Sequence, residues 1–316
     1  MLTVLGITGP IFFIIAIGFL AVRFGLLGRQ DSRALGVFVL DFALPALLFR
    51  ALSQRPLDQL VNVELLIHYA LGSLLALALG IGFACGVQKR GLQAASLLAM
   101  GMTLSNSAFM GFPIAERLIG SAATATLAVY VTVENLIMLP VLMAIAELGR
   151  RSGGHWARTF LDILLRLVKS PLILSMLLGV FFSTSGLRVP QMAGRVAELL
   201  AGASAPVALF YIGCRLAGLR WKGMQGDIAG VAVGKLILHP LSVLAIFWLL
   251  PVADPALRQA AVINASMPMA TIYALLGQKY GQEGFCSAAL VVTTAASFFT
   301  ITGLLWLIES GCCKGF

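Results

Sequence analysis

Two stretches of this chain place asparagine, serine, glycine and proline inside otherwise apolar surroundings. The first reads Ser105-Asn106-Ser107-Ala108-Phe109-Met110-Gly111-Phe112-Pro113, and the second Asn264-Ala265-Ser266-Met267-Pro268-Met269-Ala270-Thr271. Proline deletes a backbone hydrogen bond and collides with the preceding turn, and glycine and small polar residues let the chain unwind and rebond beside it. Unwound backbone at membrane depth is tolerated only against protein or a water-filled cavity. Paired interruptions, one in each half of a chain, are the sequence pointer to the binding site of a carrier. Half-helix N-termini aim free N–H groups and the positive dipole end at an anion, and the amides of Asn106 and Asn264 add hydrogen bonds. The candidate substrate-binding residues are Ser105, Asn106, Ser107, Gly111, Pro113, Asn264, Ser266 and Pro268. The plainer alternative is a pair of proline kinks whose polar residues satisfy only local backbone.

Three ionisable residues lie inside apolar runs: Asp41, Glu134 and Lys235. Each is costly in lipid when unpaired, so a functional role or a buried partner is expected for each. Asp41 or Glu134 paired with Lys235 would form a protonation-linked site, or a static ion pair that fixes helix packing; Asp41 with Lys235 is the pair expected to couple a proton or stabilise the site. His239 follows Lys235 by one turn and precedes Pro240; a packing role is the first expectation for it.

The elements that must carry these residues follow from composition. The chain has 316 residues, 59% hydrophobic and only 11% charged, and its mean hydropathy is +0.97. Ordinary soluble domains are about 45–50% apolar and about 25% charged, so a soluble fold could not hide this much apolar surface. Apolar stretches near the roughly 20 residues that span a bilayer recur ten times: residues 2–22, 35–52, 63–87, 94–119, 122–146, 160–182, 196–216, 228–250, 257–276 and 285–308. Backbone groups in lipid must be bonded within their own segment, so these read as helices.

The polar stretch Glu147–Arg158 divides the chain near its middle, giving residues 1–150 and 151–316 as two five-helix units. A shift of 161 residues sets Pro10 on Pro171, Gly18 on Gly179, Gly25-Leu26 on Gly186-Leu187, Pro45 on Pro206 and Leu48-Phe49 on Leu209-Phe210. With an odd number of helices per unit, the second unit enters the membrane from the opposite face, which is an inverted repeat. The expected fold class is therefore all-α and polytopic, ten transmembrane helices in two inverted five-helix repeats, with helices four and nine broken. With the N-terminus outside, fourteen of the 22 basic residues fall on the inner side and seven on the outer, Lys235 being intramembrane. That bias places both termini on the periplasmic side of the inner membrane.

The net charge of +9 is spread singly and in pairs between apolar runs, without an aromatic-interleaved basic face, so no nucleic-acid partner is expected. The cysteines Cys85, Cys214, Cys286, Cys312 and Cys313 form no C-x-x-C pair, and neither a metal nor a cofactor is expected. Phosphate-binding, zinc-protease and nucleophile-elbow motifs are missing, so an enzyme or a primary pump is not the expected reading.

At these residues the chain resembles a bacterial member of the auxin efflux carrier family. Leu44-Pro45-Ala46-Leu47-Leu48-Phe49 resembles that family's second-helix motif, Asn106-x-x-x-Met110-Gly111-x-Pro113 its fourth-helix crossover, and Lys235-Leu236 with Pro240 its eighth helix. The resemblance implies a ten-helix inverted repeat related to the bile acid–sodium symporters. It implies a scaffold from helices 1, 2, 6 and 7, a moving transport domain from helices 3–5 and 8–10, and substrate at the broken segments. It also implies a homodimer, elevator-like movement, and organic anions such as auxin or malonate as cargo. The plant carriers carry a longer, phosphorylated loop after helix five, and the dozen residues here leave no room for that regulation.

The expected function is a secondary carrier of a small organic anion, a carboxylate, with a proton as the candidate coupling ion. A sodium-coupled symporter of the bile-acid type is the rival within that class. An ion channel and a non-transporting membrane receptor are the rivals outside it.

Overall fold

The computed structural model describes residues 2–28, 31–53, 62–120, 122–149, 169–217, 224–251, 254–270 and 272–309. Helix dominates the described residues, and the only β-like pairing among them is a single antiparallel bridge between Ser105 and Met269. The helices, in chain order, are α1 (Leu2–Arg23), α2 (31–53), α3 (Val63–Gly86), α4 (Leu92–Thr103), α5 (107–119) and α6 (122–149). After the central stretch come α7 (Pro171–Ser185), α8 (Gln191–Leu216), α9 (225–249), α10 (Pro255–Ala265), α11 (Ile272–Lys279) and α12 (Glu283–Glu309). Each apolar stretch expected to span is helical in its described part. The two expected to be broken are broken, into α4 and α5 and into α10 and α11.

Among the described residues, six helices are long and apolar enough to cross a membrane: Asp31–Arg50, Val63–Gly86, Ala125–Ala146, Gln191–Leu216, Gln225–Leu249 and Gly284–Ile308. Gly9–Arg23, Leu92–Thr103 and Pro171–Ser185 are shorter apolar helices. Large apolar side chains cover the outside: Phe13, Leu26, Met192, Leu199, Trp248 and Phe299 are all more than half exposed. Such a coat is expensive in water and neutral against lipid tails. The chain is a multi-pass membrane protein. Residues 150–168, which carry Arg150, Arg151, Arg158 and Arg166 of the expected inner loop, and the basic residues Arg29, Arg55, Arg220, Lys222 and Lys314 lie outside the described residues.

Local signals set the helix ends. The Asn62 side chain accepts from the Leu65 N–H at 2.7 Å and caps α3. Asp254 caps α10 through the Ala256 N–H at 2.9 Å, with Pro255 pre-set at the first turn. Gly186 ends α7 with φ +67, the left-handed conformation that glycine adopts without a Cβ clash.

Apolar packing sorts the helices around separate cores. Side chains of α3, α4, α6 and α9–α12 form one buried cluster, including Leu65, Met100, Leu142, Val243 and Ala289. Ile11, Ile15, Val39, Leu44, Leu209 and Ile212 form a second, around α1, α2 and α8, which also takes in Met110, Met267 and Ile301. Backbones approach closely within this second group. A Cβ on Gly18 of α1 would meet the carbonyl of Phe210 in α8, and one on Gly179 of α7 would lie 3.1 Å from the carbonyl of Phe49 in α2. The shift of 161 residues that relates Gly18 to Gly179 also relates Phe49 to Phe210, so the α1–α8 and α7–α2 crossings use corresponding residues in exchanged order.

Candidate functional site

Four prolines shape the site. Pro45, Pro113, Pro140 and Pro240 sit within helices, where each lacks an N–H and crowds the carbonyl four residues back. Immediately before each, the helix widens into a π turn: Val39–Ala43, Ser107–Gly111, Val133–Met138 and Gly234–Leu238. The residue just ahead of each proline donates five residues back, Leu44 to Val39, Phe112 to Ser107, Leu139 to Glu134 and His239 to Gly234. Widening the turn relieves the clash, and it re-aims the side chains it carries. Those side chains include Asp41, Ser107, Glu134 and Lys235, one from each turn.

Between α4 and α5, and between α10 and α11, the backbone is extended and the two unwound segments bond to each other. The Asn106 N–H donates to the Pro268 carbonyl at 2.8 Å, and the Ala270 N–H to the Leu104 carbonyl at 3.0 Å. This pairing supplies partners that the broken helices cannot, as buried backbone requires. Gly111 is needed at the crossing: a Cβ there would lie 2.7 Å from the Asn264 Oδ1.

A buried polar network joins this crossing to α3, α6 and α9. Lys235 is fully buried, and its Nζ reaches the Ser105 Oγ at 2.9 Å, the Ala265 carbonyl at 2.6 Å and the His239 Nδ1 at 2.9 Å. An ammonium has three N–H donors and no acceptor, so all three are committed. His239 Nδ1 must then accept, which leaves the proton of a neutral imidazole on Nε2, 3.0 Å from the Ser73 Oγ. The Glu134 Oε1 accepts from the Tyr69 hydroxyl at 3.0 Å and from the Ser107 hydroxyl. Tyr69 and Ser105 hydroxyls are 3.3 Å apart. The Asn264 amide donates to the Tyr69 and Ser107 oxygens, both at 2.9 Å. The Glu134 carboxyl and the Lys235 amine are thus connected through the Tyr69 and Ser105 hydroxyls.

Beside the network lies a cavity of about 320 Å³, within the range of small-molecule sites. Ser105, Asn106, Ser107, Asp41, Glu134, Asn135, Ser170 and Tyr211 provide its polar lining, and residues such as Leu44, Leu48, Phe109 and Leu172 its apolar walls. The Asn106 side-chain Nδ2 is buried without a hydrogen-bond partner among the described residues. The first helical bonds of α5 come from the Met110 and Gly111 N–H groups to the Asn106 carbonyl. The N–H groups of Ser107, Ala108 and Phe109 therefore precede the ladder, at the positive end of the helix dipole.

The sequence-derived candidates fall into distinct places. Ser105, Asn106 and Ser107 line the cavity, and Asn264 braces the network behind it. Ser266 caps its own helix by donating to the Val262 carbonyl at 2.8 Å, Pro268 offers its carbonyl to Asn106, and Pro113 is buried in α5. Of the two carboxylates considered for Lys235, Glu134 is connected to it through hydroxyls. No ion pair or hydrogen bond joins Asp41 to Lys235 among the described residues; Asp41 is exposed to the cavity instead. Packing decided this, because the π turn of α2 opens on the cavity and the one in α9 turns inward. His239 is a direct partner of Lys235 rather than a packing residue only. Tyr69 and Ser73 were missed. Their signal was one hydroxyl each, one turn apart, on the same face of an otherwise apolar helix.

Comparison with known proteins places the chain in a family. The family model described as "Membrane transport protein" matches residues 4–305. A protein of Rhizobium meliloti (strain 1021) named "Putative malonate transporter" is 30% identical over 313 residues, 98% of each chain. An "Uncharacterized transporter" of Methanothermobacter thermautotrophicus is 26% identical, covering 93% of this chain and 94% of its own. The "Uncharacterized transporter YfdV" of Escherichia coli (strain K12) is 25% identical, covering 95% and 96%. With a family model spanning nearly its whole length and a full-length relative at this identity, the chain belongs to the membrane transport protein family, that of the auxin efflux carriers.

Proposed function

We propose that this protein is a secondary carrier of a small organic anion bearing a carboxylate, moved across the inner membrane by alternating access and accompanied by a proton. The observation that carries the reading is the buried, unpartnered Asn106 amide at the N-terminus of α5, lining a cavity of about 320 Å³. A carboxylate oxygen is the acceptor these donors lack, and an unmade buried hydrogen bond is costly. The name of the Rhizobium relative suggests malonate or a close analogue as cargo.

The same reading takes the fold as two inverted repeats, residues 1–150 and 151–316, of five spans each. The exchanged glycine crossings of α1 with α8 and α7 with α2 support it. These four helices would be the scaffold of a homodimer, with α3–α6 and α9–α12 as the moving body; the first apolar cluster, confined to α3, α4, α6 and α9–α12, favours that division. Substrate held at the crossing would ride with the moving body, an elevator-type motion, and both termini would face outward.

Uptake of radiolabelled malonate and other short carboxylates into proteoliposomes tests the reading. Asn106→Ala should lower affinity by roughly ten- to hundredfold, the worth of a hydrogen bond to a charged group, while the purified variant stays folded. Equal transport by variant and parent would remove Asn106 from the site.

A further inference from the structure

The lining of the cavity constrains the charge of what it can hold. Its titratable side chains are Asp41 from α2, Glu134 from α6 and Tyr211 from α8, and no lysine, arginine or histidine lines it among the described residues. The nearest cation in space to the crossing is Lys235, whose three donors are committed to Ser105, His239 and the Ala265 carbonyl. Its charge is matched by Glu134 through the Tyr69 and Ser105 hydroxyls. On α7, Pro171 and Leu172 line the cavity together with the preceding Ser170, and the adjoining Lys169 is exposed and outside the lining. Asp41 is left as a carboxylate facing the cavity, with no ion-pair or hydrogen-bond partner among the described residues.

The donors at the crossing, the Asn106 amide and the leading N–H groups of α5, are enough for one carboxylate. The other donors of the lining, Asn135, Ser170 and Tyr211, bring no positive charge. A second ionised carboxylate would enter a space that holds Asp41 and offers no cation. Like charges in a shared, partly dehydrated site repel strongly. We propose that Asp41 sets the charge of the cargo: the carrier takes a short dicarboxylate as its singly protonated monoanion, one end on Asn106 and the α5 N-terminus, the other entering as the neutral acid. The proton that accompanies transport then travels on the substrate, and Lys235 and Glu134 serve to hold the crossing together. This inference rests on the carboxylate-carrier reading above.

Titration calorimetry of the purified protein tests it, with malonate as the dicarboxylate and propionate as a monocarboxylate of the same chain length. One proton taken up with the ligand makes affinity fall about tenfold per pH unit once the free ligand is mostly dianion. Between about pH 6 and about pH 8, malonate should show that slope in the parent, and propionate should bind with constant affinity. Asp41→Asn keeps the shape of the side chain and removes its charge; it should flatten the malonate slope by admitting the dianion, while Asp41→Glu should retain it. Propionate binding together with a malonate affinity that is flat in the parent, or equally steep in Asp41→Asn, overturns the proposal and leaves the carrier reading standing. No binding of either acid at any pH overturns both.

Discussion

The Lys235 network makes a quantitative prediction that separates the two carboxylates. Lys235→Met removes three hydrogen bonds, to Ser105, His239 and the Ala265 carbonyl, and strands Glu134 as a buried charge. Glu134→Gln leaves the ammonium without its counter-charge and weakens the bonds from Tyr69 and Ser107. Breaking a buried pair from one side costs about 3–5 kcal/mol, so each single variant should lose that much. The double variant carries no stranded charge but still lacks the hydrogen bonds of both side chains, so its loss should fall short of the sum of the two single losses by about 2–3 kcal/mol, at the upper end for residues in one network. Asp41 shares no hydrogen bond with Lys235, so Asp41→Asn combined with Lys235→Met should be additive within about 0.5 kcal/mol. The assay is thermal or denaturant unfolding of the detergent-purified protein, read as two double-mutant cycles. Additivity of Glu134→Gln with Lys235→Met, or strong coupling of Asp41→Asn with Lys235→Met, would refute the network as described.

Other substitutions probe the close approaches that the structure requires. In Gly111→Ala the new methyl lies 2.7 Å from the Asn264 Oδ1; the Asn264 amide must shift away from Tyr69 and Ser107, and carboxylate transport should fall sharply with a loss of about 1–3 kcal/mol in stability. Gly213→Val sets a branched side chain against the Ile15 backbone at the α1–α8 crossing; unfolding should show a loss of about 3 kcal/mol or more, since neither backbone can yield without moving a helix. A fluorescent protein that matures only in the cytoplasm, fused after Phe316, should stay dark; bright cells would reverse the proposed orientation.

Much of the architecture was legible in the sequence because one physical constraint dominates it. A backbone in lipid must bond within its own segment, so apolar runs of spanning length become helices whatever packs beside them, and the interruptions at Asn106 and Asn264 stood out against that background. The prolines carried more than a kink: Pro45, Pro113, Pro140 and Pro240 each follow a π turn, whereas Pro10 and Pro206 sit in helices without one. Only the tertiary structure decided which side chains those turns bring together. The sequence pointed to Asp41 as the partner of Lys235, and Glu134 holds that place, because spacing along a chain does not say which way a π turn faces once its helix is packed. Tyr69 and Ser73 left only a weak signal for the same reason: a hydroxyl on an apolar helix gains its role from Glu134 and His239, 65 and 166 residues away in the chain.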